Sequence, residues 1–306
     1  MLLEIESIMV SLFAANIVLG FSMNLVVISA LCRVSEKSVR DILLISLALC
    51  GLLETGLGYA IELYGRLNVR ASSLICQMAG FSVTFFALSS IFHIVGLAIE
   101  RYLSIVCAVN ARGYFSMKHR ALYIIFPAWI NGLVWSIAPF LGWGAYKREP
   151  IDKYRCSVLM SDVSFVSWSY TIMLLTFAYA IPLLVILYCC LKVQCTLNAM
   201  SKNISDPENR TRDSGLEATK QAEKRHYYMV CAIIVSFFVA WTPYATSALL
   251  FSILENVPNT LITYSAFFAK FSVVANPVIY VIFYKDCRKQ VKKMVCVDTA
   301  VAPLEA

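Results

Sequence analysis

The run "SAFFAKFSVVANPVIYVIF", residues 265–283, is almost unbroken apolar sequence with Lys270 well inside it. At 1.5 Å per residue, a helix of this length rises roughly 30 Å, the thickness of a bilayer's hydrocarbon core. A lysine at that depth costs about 2.5–3.5 kcal/mol on insertion scales, and more by simulation. Either Lys270 has a partner that offsets this cost, or its amine has chemistry to perform.

Outward from this stretch, the pattern repeats. The chain of 306 residues is 59% hydrophobic and 15% charged, too little polar surface for a soluble domain. Apolar runs long enough to span a membrane occur at about 7–33, 40–64, 74–107, 119–141, 167–195, 222–253 and 260–284. Runs of this length are helices, because a barrel strand needs only about 10 alternating residues. The expected fold is all-α: a single seven-transmembrane helix bundle over 1–306, with a short amphipathic helix at about 285–296. The leader "MLLEIES" is acidic, and the apolar run behind it continues to about Cys32. A retained helix is therefore expected, not a cleaved signal. Prolines within spans (Pro127, Pro139, Pro182, Pro243 and Pro277) are expected as kinks. No internal repeat of the transporter kind is visible.

Lysine and arginine assign the sides. They concentrate in alternate connections: Arg33, Lys37 and Arg40; Arg112, Lys118 and Arg120; the stretch 201–225; and a tail with Lys285, Arg288, Lys289, Lys292 and Lys293. These are expected to be cytoplasmic, with the N-terminus outside and the C-terminus inside a cell membrane. Arg66, Arg70, Lys147, Arg148, Lys153 and Arg155 then fall in the sparser outer loops. The formal charge of +7 reflects this sidedness and not a nucleic-acid partner.

On that topology, Cys76 and Cys156 alone of the eleven cysteines lie near the outer surface, where oxidation is possible. A disulfide between them and a pair of free thiols are the alternatives. There is no CxxC pair, and His93, His119 and His226 lack ligand spacing, so no metal is expected. The sequons at Asn203 and Asn209 fall on the cytoplasmic side, where glycosylation is not expected. Val291, Met294 and Val295 recur among lysines, the pattern of a helix lying on anionic membrane lipid. Cys296 is either palmitoylated or an unmodified thiol.

The intramembrane ionisable residues are Glu54, Glu62, Glu100, Arg101 and Lys270, functional candidates by default. Glu100-Arg101-Tyr102 ends the third span. Arg101 can pair with Glu100 or reach Glu223 at the start of the sixth. A bridge between two helix ends is a two-state latch; an ordinary snorkelling arginine is the plainer alternative. For Lys270 the plainer alternative is a structural pair with Glu54 or Glu62.

Four motifs then combine: "GFSMN" with Asn24, "IERY", "AWTPYA", and "NPVIY" with Asn276, Pro277 and Tyr280. Their order, and the spacing from Cys76 to Arg101, resemble class A G-protein-coupled receptors over nearly the whole chain. Lys270, six residues before Asn276, resembles the lysine to which opsins attach retinal. The resemblance implies a light-sensing, non-visual opsin of neuropsin-like or peropsin-like kind. It implies retinal held covalently on Lys270, as a protonated Schiff base, and a burial that favours the neutral, nucleophilic amine. It implies a retinal pocket of Val83, Thr84, Phe237, Trp241, Tyr244, Ala266 and Ala269. It also implies activation of a heterotrimeric G protein through Glu100, Arg101, Tyr102, Glu223, Asn276, Pro277 and Tyr280, with arrestin as a further partner.

The chain departs from visual pigments at the counterion. Their Glu, three residues after the third-span cysteine, is here Ala79. A protonated Schiff base in a low dielectric needs a nearby anion. Glu149 resembles the second-loop Glu of other opsins, with Asp152 as a substitute. Glu62 lies eleven residues after Gly51, three helical turns, and so shares its inward face. Gly51 itself replaces an inward Asp, and Cys190 replaces a fifth-span Tyr, with Tyr188 two residues away. Two rivals remain: an opsin acting as a retinal photoisomerase with little signalling, and a receptor whose diffusible ligand offers Lys270 an anion.

Overall fold

Among the described residues of the computed structural model, seven helices long and apolar enough to cross a membrane pack into one bundle. The structure describes residues 2–68, 72–107, 120–148, 156–158, 164–204, 214–254 and 257–296. Helix α1 is Leu2–Cys32. Helix α2 runs from Val39 to Leu67, with a π-helical segment at Glu54–Tyr59. Helix α3 is Ser73–Ile105, and α4 is Arg120–Ile137 with a 3-10 turn at Ala138–Leu141. Helix α5 comprises Phe165–Leu175, a π segment at Thr176–Ala180, and Ile181–Ile204. Helix α6 is Ser214–Ile253, α7 is Asn259–Ala269 and Ser272–Phe283, and α8 is Lys285–Cys296. Between α4 and α5 stands an antiparallel hairpin, β1 (Tyr146–Arg148) and β2 (Cys156–Val158), with Tyr146 opposite Val158. The all-α expectation omits this hairpin. A disulfide joins Cys76, in the first turn of α3, to Cys156 on β2, with Cα atoms 5.3 Å apart.

Local signals set the helix starts. Ser38 accepts from Asp41 N, and the Asp41 carboxylate accepts from Ser38 N at 2.7 Å, a reciprocal cap on α2. Ser72 caps α3 and Ser164 caps α5 in the simpler one-way form. The main buried cluster gathers Leu43, Leu44 and Leu47 from α2, Ile91, Ile94 and Leu97 from α3, Ile186 from α5, Met229 and Ile233 from α6, and Tyr280 from α7. Large apolar side chains also point outward: Val18, Phe126, Leu184 and Val235 are each at least 60% exposed. In water that surface would be an aggregation hazard; in lipid it is the required solvent face. The protein is a multi-pass membrane protein.

Helix α7 is interrupted at Lys270. The amides of Lys270 and Phe271 reach back only three residues, to Phe267 O (3.3 Å) and Phe268 O (3.1 Å). The Lys270 carbonyl instead accepts from Asn16 Nδ2 at 3.1 Å. Further along, Pro277 has no N–H to offer the Val273 carbonyl four residues earlier. Asn24 Nδ2 donates to that carbonyl at 3.2 Å. Two asparagines of α1 thus satisfy the two irregular points of α7, since an unmet carbonyl in lipid costs several kcal/mol.

Helix α8 packs Val291 and Met294 against the core cluster and buries Cys287 completely. Burial pushes the Cys287 thiol up to about 11, so it stays protonated and unreactive.

Candidate functional site

Lys270 and Glu62 meet inside the bundle. Lys270 is 4% exposed and Glu62 2%; the Lys270 Nζ donates to both carboxylate oxygens of Glu62. One turn along α2, Arg66 Nη2 donates to Glu62 Oε1 at 3.0 Å. The Phe13 ring of α1 faces both cations, with Nζ of Lys270 4.6 Å from its centroid and the Arg66 guanidinium carbon 5.5 Å away. Tyr59 presents its ring to Nζ at 5.5 Å, and its hydroxyl donates to Glu54 Oε1 at 2.7 Å. A buried ammonium is tolerable only with such an anion at hand.

Glu62 reaches the interior by a route that straight-helix counting from Gly51 does not describe. The π segment at Glu54–Tyr59 widens the helix between the two residues and shifts the register beyond it. The same helix continues to Leu67, so Arg66 belongs to α2 and not to an outer loop as its position among the sparser charges implied. Glu149 and Asp152 lie outside the described residues. Ala79 lines a small space beside Glu62 and Arg148.

From the Lys270–Glu62 pair a cavity extends into the bundle. Val83, Thr84, Trp241, Tyr244 and Ala266 line it. A second lobe shares Ala87, Leu88, Leu174, Trp241 and Tyr244 with the first and adds Phe237. Phe237 stacks on Trp241, ring centroids 5.7 Å apart, and Trp241 Nε1 donates to Ser272 Oγ at 3.1 Å. Ala269 is buried but lines neither lobe. Sequence reasoning missed Ala87 and Leu88, although each lies four residues beyond an expected wall residue on α3. It also missed Leu174 and the hairpin's Ser157 and Val158. A Cβ on Gly80 would come within 2.7 Å of the Tyr146 ring, so the roof closes only over a glycine.

The other end of the bundle carries a second charged cluster. Arg101 donates through Nε and Nη2 to the two Glu100 oxygens, each at 2.6 Å, and through Nη1 to Glu223 Oε2 at 2.7 Å. Arg101 and Glu100 are buried, whereas the Glu223 side chain is 38% exposed. Tyr102 packs against Tyr188, centroids 5.8 Å apart. Tyr188 is 53% exposed and does not substitute for an inward tyrosine at Cys190. Tyr280 is fully buried, and its hydroxyl has no hydrogen-bond partner among the described residues. At Gly51 the Asn24 amide fills the space, 2.9 Å from where a Cβ would stand.

A bundle of seven membrane-length helices among the described residues, with a charged cluster at one end and a buried amine beside an apolar cavity at the other, is the architecture of a seven-transmembrane receptor. The family description "7 transmembrane receptor (rhodopsin family)" matches residues 23–280. Rhodopsin of Alligator mississippiensis is 30% identical over 295 residues, covering 92% of this chain and 78% of that one. The visual pigment-like receptor peropsin of Homo sapiens is 29% identical over 282 residues, 89% of this chain and 79% of that one. The crystal structure of squid rhodopsin superposes with a TM-score of 0.79 at 23% identity, over 97% of this chain and 89% of that one. The chain belongs to the rhodopsin family of seven-transmembrane receptors, among the opsins. Membership carries with it G-protein coupling as the family's general mode of action, and a photoreceptor rather than an enzyme as its general kind.

Proposed function

We propose that this opsin senses light through retinal bound covalently to Lys270 as a protonated Schiff base, with Glu62 as the counterion. The observation that carries the reading is the amine–carboxylate pair at one end of an apolar, two-lobed cavity. The residues fit the group. The walls beyond the amine are mostly apolar, as a polyene requires, and the far lobe is walled by Phe237, Trp241 and Tyr244. When bound, retinal supplies a polyene whose shape changes with light.

The chain's own residues do the rest. Glu62 holds the proton on the Lys270 nitrogen by placing a negative charge against it. Phe13, Tyr59 and the hairpin exclude water, which strengthens that pairing. Trp241 joins the cavity wall to Ser272, just past the break in α7. A displaced Trp241 would move α6 and draw Glu223 away from Arg101, shifting the bundle toward an open form. The Arg101 end faces the cytoplasm and the G protein in this reading, with arrestin competing there. The disulfide end and the N-terminus face outside, and α8 rests on anionic lipid with Cys296 as an acylation candidate.

The test is a spectrum of purified protein reconstituted with 11-cis and with all-trans retinal, before and after light, together with nucleotide exchange on a G protein. A visible band that changes on illumination, with exchange weakened by Arg101→Ala, is expected. A pigment that releases isomerised retinal catalytically and activates no G-protein class would instead make the protein a photoisomerase.

A further inference from the structure

We infer that Arg66 is a positioning residue that shares the Glu62 carboxylate with Lys270 and thereby holds down the proton affinity of the Lys270 nitrogen. The inference rests on the reading of Lys270 and Glu62 as the functional pair, and it concerns a residue that none of the family motifs above includes.

The geometry is specific. Glu62 Oε1 accepts from Arg66 at 3.0 Å while both Glu62 oxygens accept from Lys270. The Arg66 side chain is 10% exposed, so water screens it little. Both cations stand against the same Phe13 ring. A guanidinium is always charged and grips a carboxylate directionally. Its contact therefore fixes where Glu62 points and withdraws part of the negative charge that Lys270 sees. Its own positive charge also opposes a second cation nearby. Both effects have the same sign: they make protonation of the Lys270 nitrogen less favourable. Tyr59 faces this nitrogen with its ring and holds Glu54 behind it, and Arg148 of β1 lines the small space beside Glu62.

Two consequences follow. In the protein without retinal, Arg66 keeps more of the amine neutral and ready to attack an aldehyde. In the pigment, Arg66 weakens the counterion. A conjugated cation moves positive charge away from the nitrogen on excitation, so a weaker anion beside that nitrogen moves absorption to longer wavelength.

The test compares wild type with Arg66→Gln, Arg66→Met and Arg66→Lys. In the retinal-free protein, Lys270 is labelled with formaldehyde and cyanoborohydride across a pH series and read by mass spectrometry. Removing the charge in Gln and Met should raise the pH midpoint of labelling by about one unit, and Lys should restore it. In the pigment, Gln and Met should raise the pH at which visible colour is lost and shift the band to shorter wavelength. A midpoint unchanged or lowered in folded Gln and Met variants overturns the inference. So does an Arg66→Lys variant displaced as far as Gln, which would make the role one of shape. If wild type forms no pigment at all, the retinal reading fails, while the labelling midpoints still decide the role of Arg66.

Discussion

The two charged clusters of the bundle are built with opposite arithmetic. At the disulfide end one carboxylate, Glu62, sits between two cations, Lys270 and Arg66. At the other end one cation, Arg101, sits between two carboxylates, Glu100 and Glu223. The first cluster is enclosed, with Glu62 and Lys270 both nearly inaccessible. The second keeps one leg, Glu223, more than a third exposed. Enclosure suits a site that must hold a proton in place, because charges interact strongly where water is excluded. Partial exposure suits a contact meant to break, because a wet ion pair is worth only about 0–1 kcal/mol. In the proposed function, the first cluster would do the chemistry and the second the release.

The largest expected effect tests the enclosed cluster at its amine. Lys270→Ala should abolish covalent pigment entirely while the protein still inserts. Borohydride-trapped retinal on the variant, absent from controls, would remove Lys270 from the comparison. Next, Glu62→Gln removes the anion. The pH at which colour is lost should fall by about one to three units, leaving the variant ultraviolet-absorbing at neutral pH and coloured again in acid or with halide. A Glu149→Gln variant that bleaches while Glu62→Gln does not would move the counterion to Glu149.

A third test concerns the roof over the enclosed cluster. Cys76→Ser and Cys156→Ser each remove the same bridge, and native disulfides contribute typically about 2–4 kcal/mol. Both should lower surface expression strongly and equally, with the double variant no worse; mass mapping that finds either thiol free in folded protein would sink this. The smallest effect belongs to the exposed leg. Glu223→Gln should raise dark nucleotide exchange by at most about fivefold, the factor equivalent to about 1 kcal/mol. A far larger rise would mean that Glu223 bears the closed state alone, and the contrast between the clusters would need redrawing.

The seven helices were legible because hydrophobic length alone identifies a membrane span, and the Arg101 cluster because Glu100 and Arg101 are adjacent in sequence. The enclosed cluster was legible only in part. Lys270 is conspicuous wherever its helix goes. The Glu62–Arg66 contact follows the helical i, i+4 spacing of "ELYGR", but it is visible only once α2 is known to reach Leu67. The inward placement of Glu62 was expected from its spacing to Gly51 and is observed, but the π segment on the way leaves no signal in "ETGLGY" that separates it from an ordinary turn. The hairpin strands are three residues each, too short for alternation to register. The cavity's roof therefore had no counterpart in the sequence pattern.

The interruption of α7 at Lys270 has a mechanical meaning. A side chain rooted in regular helix transmits force into a stiff rod, where every backbone bond resists twisting. Lys270 is rooted at a pivot, where the rod is already cut and its loose ends are held by Asn16 from a neighbouring helix. In the proposed function, torque applied at the amine would reach α7 where its backbone bonding already departs from regular helix. Beyond that joint the segment Ser272–Phe283, which carries Tyr280, is tied to α1 through Asn24 and to α6 through Trp241, so a turn at the joint would be felt by both neighbours.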